Sequence, residues 1–183
     1  MQNIWNTIDR WLETNAPRVL SDLLSGASEA EIASLETQME VLLPDDFKTS
    51  ALIHNGQDGR FRLVGPWELI PIDGIAPEAE QMNGIFKNSE NFEIETRGAV
   101  KPNQWNDAWI PFAADGAGNL LCLDLDPDEG GKTGQVILWA SDPPYVEVIA
   151  PSYRAWLEQF AIDLEAGKFK WDAENDEWLR VSS

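Results

Sequence analysis

Residues 109–127 carry the pattern of two β-strands joined by a short turn, and this pattern constrains the fold more than any other stretch. Side chains in a strand point alternately to opposite faces. One face of the second strand would carry Leu121, Leu123 and Leu125. The opposite face would carry Leu120, Cys122, Asp124 and Asp126. We therefore predict that one face of this strand packs on a core, while the other face ends in carboxylates.

The first 26 residues predict two helices. Pro17 suits the first position of the second helix, because its missing N–H has no partner there in any case. Leu23 and Leu24 continue the apolar pattern of that helix, and Gly26 is predicted to be its C-terminal cap. We expect this segment to form a helical lead-in.

Two further helices are predicted before residue 57. Ser28 and Glu31 have the spacing of a capping box, in which each side chain accepts a hydrogen bond from the other residue's backbone N–H. The helix that begins there would end at Pro44. The next helix would begin with Asp45 and stop at the Asn-Gly pair of residues 55–56.

After residue 56 the pattern changes to short strands. Predicted strands occupy residues 61–64, 67–72, 109–112, 120–126, 135–139 and 145–149. A helix is predicted over residues 77–86, and residues 87–108 show no clear pattern. Ser152 would cap a last long helix, and residues 168–181 predict a hairpin with Trp171 and Trp178 on its two arms. Helices first and consecutive strands later indicate an α+β domain with a largely antiparallel sheet.

The charge of the chain limits its partners. Thirteen Lys and Arg residues stand against 32 Asp and Glu residues, so the formal net charge is −19 over 183 residues. Such a surface repels nucleic acids and anionic membranes and attracts basic proteins, although it also fits a role in solubility alone. The length fits a single domain, and the lone cysteine excludes an internal disulfide. With no signal-like or membrane-spanning apolar segment, we expect a cytoplasmic protein, as a monomer or a weak dimer.

No residue pattern points to catalysis, to a metal or to a cofactor. His54 is the only histidine, and its place beside an Asn-Gly pair favours a structural role at a helix end. Cys122 lies in a predicted strand, where burial is favoured over a role as nucleophile. The acidic run 124–130 departs from the EF-hand pattern, so we prefer a solvated turn, with weak binding of a divalent ion as the alternative. The glycine-containing run 115–119 predicts a hairpin turn.

Three tryptophans lie in or beside predicted loops. They are Trp67, Trp105 and Trp109, and acidic residues flank them. Aromatic side chains among charges are typical of protein interfaces, but tryptophan is as often buried in a core. The sequence leaves these two interpretations open.

Several blocks, taken in their order and spacing, resemble the SUKH superfamily, in its Smi/Knr-like branch. The first blocks are Ser-Glu-Ala-Glu-Ile-Ala-Ser-Leu-Glu at 28–36, Leu-Pro-Asp-Asp-Phe at 43–47 and His-Asn-Gly at 54–56. Trp-Glu-Leu-Ile-Pro-Ile at 67–72 is similar to the family's first sheet segment. The strand, turn and strand of 109–127 resemble its most recognisable run, and 134–139 and 152–160 resemble its closing elements.

The resemblance covers residues 28–163 and implies a bent antiparallel sheet flanked by helices, in a single domain. Residues 1–27 would precede this domain as the helical lead-in, and residues 164–183 would form a Trp-rich hairpin packed on it. Many bacterial members of the superfamily are immunity proteins that bind and neutralise toxins. Other members, including fungal ones, are regulatory interaction modules linked to cell-wall synthesis. Neither role requires a cofactor or fixed catalytic residues.

Resemblance and charge together lead to hypotheses of function. The first is an immunity protein that binds a cognate basic toxin, for example a nuclease, and neutralises it by association. The alternative is a regulatory scaffold, related to the cell wall, with a non-toxin partner. An acidic hydrolase is a third hypothesis. Partner contacts are predicted on or beside the polar edge of the sheet, at Trp67, Glu68, Asp115, Asn119, Asp124 and Asp126.

Overall fold

Helices dominate the first half of the chain, and strands dominate the second. The computed structural model describes residues 1–87 and 93–181. Within these ranges the chain forms six α-helices: α1 (Gln2–Asn15), α2 (Pro17–Asp22), α3 (Glu29–Met39), α4 (Asp45–Ala51), α5 (Ile72–Phe86) and α6 (Tyr153–Glu165). The same ranges contain ten β-strands: β1 (Leu23–Ser25), β2 (His54–Gln57), β3 (Glu68–Leu69), β4 (Glu95–Arg97), β5 (Trp109–Ala114), β6 (Leu120–Asp124), β7 (Gln135–Ser141), β8 (Pro144–Ala150), β9 (Phe169–Asp172) and β10 (Glu177–Arg180). No helix in these ranges is both long and apolar enough to cross a lipid bilayer.

Six strands form the main sheet, in the order β3-β5-β6-β7-β8-β4. Its neighbouring strands are antiparallel, except that β4 runs parallel to β8. Register shifts interrupt β5 after Pro111 and β7 after Val136, and such irregularities bend a strand. The pairs β1–β2 and β9–β10 form two small antiparallel sheets. The predicted α+β class with a largely antiparallel sheet is confirmed.

Both faces of the main sheet are largely buried along its central strands, β5, β6 and β7. On β6, Leu121 and Leu123 belong to the larger apolar cluster of the protein. Leu120 and Cys122 alternate with them and belong to a second cluster, which also contains Met82 of α5. The predicted alternation along β6 is therefore confirmed. The predicted polar face is wrong, because the second apolar cluster covers that face too.

The capping signals of the sequence form as expected. The Ser28 backbone N–H donates to the Glu31 carboxylate over 2.7 Å, and the Glu31 backbone N–H donates to the Ser28 hydroxyl over 3.2 Å. Pro17 occupies the first position of α2. The hydroxyl of Ser152 accepts a hydrogen bond from the backbone N–H of Ala155 and caps α6. Local sequence therefore sets these helix starts.

The second predicted helix is shorter than expected. It ends at Asp22, and Leu23 and Leu24 lie in β1 instead, because the backbone of this segment pairs with β2. Gly26 has a different role from the predicted helix cap. A Cβ atom at this position would lie 1.9 Å from the main-chain oxygen of Leu52. The absence of a side chain therefore allows the backbone at Gly26 to pack directly against the backbone at Leu52.

Other element boundaries also differ from the predictions. α3 ends at Met39, well before Pro44, and α4 ends at Ala51, so that residues 54–57 form β2 and not a helix end. α5 begins at Ile72 and contains Pro77 in its interior. The predicted strand 61–64 is reduced to a single bridge, and the strand 67–72 to the two residues of β3. The unassigned stretch 87–108 contains β4, while its residues 88–92 lie outside the described part of the chain.

The C-terminal hairpin is confirmed and packs on the helices. β9 and β10 pair with Trp171 opposite Trp178. The Trp178 indole stacks on Trp11 of α1 with ring centroids 5.6 Å apart, and it meets Phe160 of α6 edge to face. The first helix, the last helix and the hairpin therefore share one aromatic cluster.

Candidate protein-interaction groove

The six predicted contact residues lie at two opposite ends of the β5–β6 pair. Four of them lie near the turn between these strands: Trp67, Glu68, Asp115 and Asn119. The other two, Asp124 and Asp126, lie where β6 leaves the sheet. The register places Ala114 opposite Leu120 at the first end and Trp109 opposite Asp124 at the second. The six residues therefore do not form one surface.

Asp115 and Asn119 hold the turn between β5 and β6. One carboxylate oxygen of Asp115 accepts hydrogen bonds from the backbone N–H groups of Ala117 and Asn119, at 2.8 and 3.0 Å. Partial burial opposes ionisation, but the hydrogen bonds from Asn119 and the backbone outweigh it and lower the pKa of Asp115. The side-chain oxygen of Asn119 accepts from the backbone N–H of Ser141 at 3.0 Å. Both side chains thus have structural roles.

Asp124 is fully buried. Its carboxylate accepts hydrogen bonds from the Gln135 side-chain amide at 2.8 Å and from the Asp126 backbone N–H at 3.1 Å. Burial raises the pKa of Asp124, and these hydrogen bonds only partly oppose that effect. The prediction of an exposed Asp124 is wrong, and a carboxylate in this position cannot touch a partner. Asp124→Lys would place an ammonium group in the protein interior and destabilise the fold. A loss of partner binding in that variant would therefore not show that Asp124 contacts the partner.

Asp126 is partly exposed, and a neighbouring lysine neutralises the negative charge of its carboxylate. Its carboxylate forms an ion pair with the ammonium group of Lys101 at 2.6 Å and accepts a hydrogen bond from the Asn106 amide at 3.1 Å. The Lys101 hydrogen bond is the main cause of a lowered pKa at Asp126.

Among the described residues no group of three or more His, Cys, Asp or Glu side chains is placed to hold a metal ion.

Glu68 and Trp67 lie next to each other where the chain enters β3. The Glu68 carboxylate pairs with the Arg62 guanidinium at 2.8 Å. Trp67 lines an open cavity of about 520 Å³, together with Val64, Phe169 and Trp178. Of the three loop tryptophans, only Trp67 is half-buried and not fully buried. Trp105 and Trp109 are buried in the second apolar cluster. These two tryptophans are therefore core residues and not interface residues.

A second cavity of about 320 Å³ adjoins the first. The two cavities share Val64 and Phe169, and the second is also lined by Ile149, Trp156 and Phe160. We call the two together the tryptophan groove. Ile149, which lines the second cavity, is 41% exposed. An open, apolar and aromatic groove of this volume suits the side chains of another molecule.

Two contacts hold the loop that forms one wall of the groove. The buried carboxylate of Asp22 accepts hydrogen bonds from the backbone N–H groups of Arg60 and Phe61, both at 3.2 Å. On the far side, the Trp178 indole N–H donates to the main-chain oxygen of Arg62 at 2.7 Å. Residues 60–62, where this wall begins, are therefore held from two sides, and this part of the groove is preformed.

No sequence pattern indicates that the tail of the chain helps to build a site. Phe169 and Trp178 were predicted only as hairpin residues, and Val64 only as part of a strand. The aromatic alternation of the tail was the available signal, because a hairpin with so many large apolar side chains must cover other apolar surface. Which surface it covers depends on contacts far away in sequence.

His54 and Cys122 have surroundings that fit structural roles. One ring nitrogen of His54 lies 3.1 Å from the Asp9 carboxylate, and the other lies 3.3 Å from the main-chain oxygen of Leu24. The His54 ring also packs edge to face on Trp5. Cys122 is fully buried as predicted, and burial raises the pKa of its thiol well above the usual range.

The chain is similar to longer eukaryotic proteins over nearly all of its length. It is 33% identical to the cell wall biosynthesis/cell cycle regulator smi1 of Schizosaccharomyces pombe, over 97% of this chain and 38% of that protein. It is 26% identical to the cell wall assembly regulator SMI1 of Saccharomyces cerevisiae, over 96% of this chain and 42% of that protein. It is 37% identical to F-box only protein 3 of Bos taurus, over 92% of this chain and 35% of that protein.

These relatives extend well beyond the aligned region, since the chain spans only about two fifths of the length of the two yeast proteins. The family model described as SMI1 / KNR4 family (SUKH-1) matches residues 26–159. This range includes Val64, Trp67 and Ile149 of the tryptophan groove, but it stops before the hairpin that supplies Phe169 and Trp178. The match covers most of the chain and confirms the resemblance drawn from its sequence blocks. The chain belongs to the SMI1/KNR4 family (SUKH-1).

Proposed function

We propose that this chain is a regulatory protein-interaction module, which binds a partner protein through the tryptophan groove and performs no chemistry itself. The observation that carries the proposal is the groove, where Trp67, Trp178 and Trp156 surround a preformed apolar surface. Tryptophan is enriched among the residues that dominate binding energy at protein interfaces. The names of two yeast relatives, which describe regulators of the cell wall, support the regulatory role.

The charge of the chain indicates what kind of partner approaches it. A net charge of −19 creates a negative field, which raises the encounter rate of cationic proteins and disfavours acidic ones. We therefore expect a basic partner that inserts apolar side chains into the groove. Association would slow as ionic strength rises, because salt screens this field. A cytoplasmic location remains a prediction that accompanies the proposal.

The proposal is tested by affinity capture from the native cell, followed by binding measurements with the purified partner. Trp67→Ala should weaken binding at least tenfold, because it removes a large half-buried anchor from the groove. Leu42→Ala is the matched control, since Leu42 is 83% exposed and lines neither cavity of the groove. Urea denaturation of both variants separates lost binding from lost stability. Wild-type affinity in a folded Trp67→Ala variant would contradict the proposal.

An immunity role remains the second candidate, favoured by the same negative charge, since toxins that hold nucleic acids are basic. It makes a different prediction in the cell. Loss of an immunity protein should be lethal only when the cognate toxin is present, whereas loss of a regulatory scaffold should act without any toxin. A purified chain that turns over a substrate, and loses this activity on a single carboxylate change, would favour the hydrolase hypothesis instead.

A further inference from the structure

A separate open cavity of about 490 Å³ lies between α3 and α5. Its floor is apolar and consists of Ala76 and Ala79 of α5, with Met39 and Val41 at the end of α3. The two alanines are buried, and their small side chains leave room above them. We call this surface the α3–α5 groove. None of its lining residues belongs to the tryptophan groove, so it is a second surface.

Exposed carboxylates surround this apolar floor. They belong to Glu40, Glu80 and Asp107. None of the three forms an ion pair with a residue of the described ranges. Nearby carboxylates differ in this respect, since Glu36 pairs with Lys48 at 3.3 Å. The rim of the groove thus holds negative charge that the described chain does not neutralise.

The end of α3 adds to the negative potential. Gln38, Met39 and Glu40 bring the C-terminal end of this helix to the groove. The last carbonyl groups of a helix carry a partial negative charge, which favours cations. The helix end and the carboxylates of the rim therefore act in the same direction on a bound group.

We propose that the α3–α5 groove binds a lysine- or arginine-bearing segment of a partner protein. Such side chains place their aliphatic stems on apolar surface while the charged head stays at the edge, as the floor and rim here require. The cavity volume lies within the range of ordinary binding sites, about 300 to 1,000 Å³. This inference goes beyond the proposed function, because it assigns a second surface that does not depend on what fills the tryptophan groove.

The test uses nuclear magnetic resonance on the ¹⁵N-labelled protein, with the amidated peptide Leu-Arg-Leu-Arg-Leu as the probe. Peptide binding should shift the backbone resonances of residues 38–41. It should also shift the indole N–H of Trp105, which donates to Asn83 at the groove over 2.6 Å. The double variant Glu80→Gln with Asp107→Asn should bind the peptide about fivefold more weakly, because two charge contacts are lost. The peptide Leu-Glu-Leu-Glu-Leu should not shift these resonances.

A matched pair of changes controls for total charge. Glu13→Gln with Glu158→Gln also removes two exposed carboxylates, from α1 and α6, and neither residue lines this groove. This control should bind the arginine peptide as the wild type does. Equal weakening in both double variants, or shifts spread over the whole acidic surface, would overturn the proposal. Spermidine binding at residues 38–41 with the affinity of the peptide would overturn the assignment to a protein segment.

The proposals for the two surfaces can be tested independently of each other. Trp67→Ala should leave the arginine peptide bound to the α3–α5 groove, since Trp67 lines only the tryptophan groove. A captured partner that requires Trp67, combined with no response at residues 38–41, would overturn this inference and leave the proposed function standing.

Discussion

The indole N–H of Trp178 donates a hydrogen bond of 2.7 Å to the main-chain oxygen of Arg62, and this bond ties the last strand to a loop 116 residues earlier. The same indole stacks on Trp11 of the first helix. One side chain thus joins three distant parts of the chain at the edge of the tryptophan groove. Its removal should affect both the stability of the protein and the shape of the groove.

We expect Trp178→Ala to lower the free energy of unfolding by about 2 to 3 kcal/mol, because it removes a half-buried ring from an aromatic cluster. Trp178→Phe keeps a ring but loses the N–H donor, so it should cost about 1 kcal/mol. Urea denaturation followed by circular dichroism measures both values. Equal losses in the two variants would mean that the hydrogen bond, and not the ring packing, holds the hairpin.

Asp22 should be essential for the loop that follows β2. In Asp22→Ala the backbone N–H groups of Arg60 and Phe61 lose their acceptor, and we expect a loss of about 3 kcal/mol. Asp22→Asn keeps one acceptor oxygen and should cost about 1 kcal/mol. Hydrogen exchange gives a local test, since the amides of Arg60 and Phe61 should lose protection most strongly in the alanine variant. Unchanged protection there would contradict the assigned role.

Asp124 should make the protein less stable as pH rises. Its pKa is raised in the folded state, so the folded state holds this proton above the ordinary value of 3.8, where the unfolded state has lost it. The contribution of Asp124 to the free energy of unfolding therefore falls as pH rises from about 4 through the folded pKa. Asp124→Asn lacks this decrease. The stability difference between the wild type and Asp124→Asn should shift in favour of the variant as pH rises.

Asp115 should show the opposite dependence. Its pKa is lowered in the folded state, so its contribution is present above pH 3.8 and is lost as pH falls through the folded pKa. We expect Asp115→Asn to cost about 1 kcal/mol at neutral pH, because the bond from the Asn119 amide is lost. This cost should shrink in acid. Denaturation curves of Asp124→Asn and Asp115→Asn at several pH values test both directions of pH dependence. If the stability of both variants relative to the wild type changes in the same direction with pH, one of the two pKa shifts has the wrong direction.

Local sequence was enough to predict the elements whose cause is local. The capping box of Ser28 and Glu31, the proline at the start of α2 and the hairpin at the end of the chain depend on residues within a few positions of one another. The alternation along β6 was also predictable, because it follows from strand geometry alone. These features led to the correct fold class.

Contacts between distant segments account for the errors. Leu23 continues a helical pattern but lies in β1, because β2 offers it a strand to pair with. Asp124 follows the alternation into a face that α5 and Trp105 cover, so its carboxylate is buried and not exposed. The tryptophan groove depends on Phe169 and Val64 meeting, and no local pattern connects residues so far apart.

The tryptophan groove takes its walls from residues 62–67, 149–163 and 169–180. A nascent chain still held by the ribosome lacks the last of these walls until β10 has left the exit tunnel. If the groove binds a partner as proposed, binding must therefore follow translation of that strand. Premature termination between the end of β8 and the start of β10 would release a polypeptide that retains all strands of the main sheet but lacks the wall formed by Trp178.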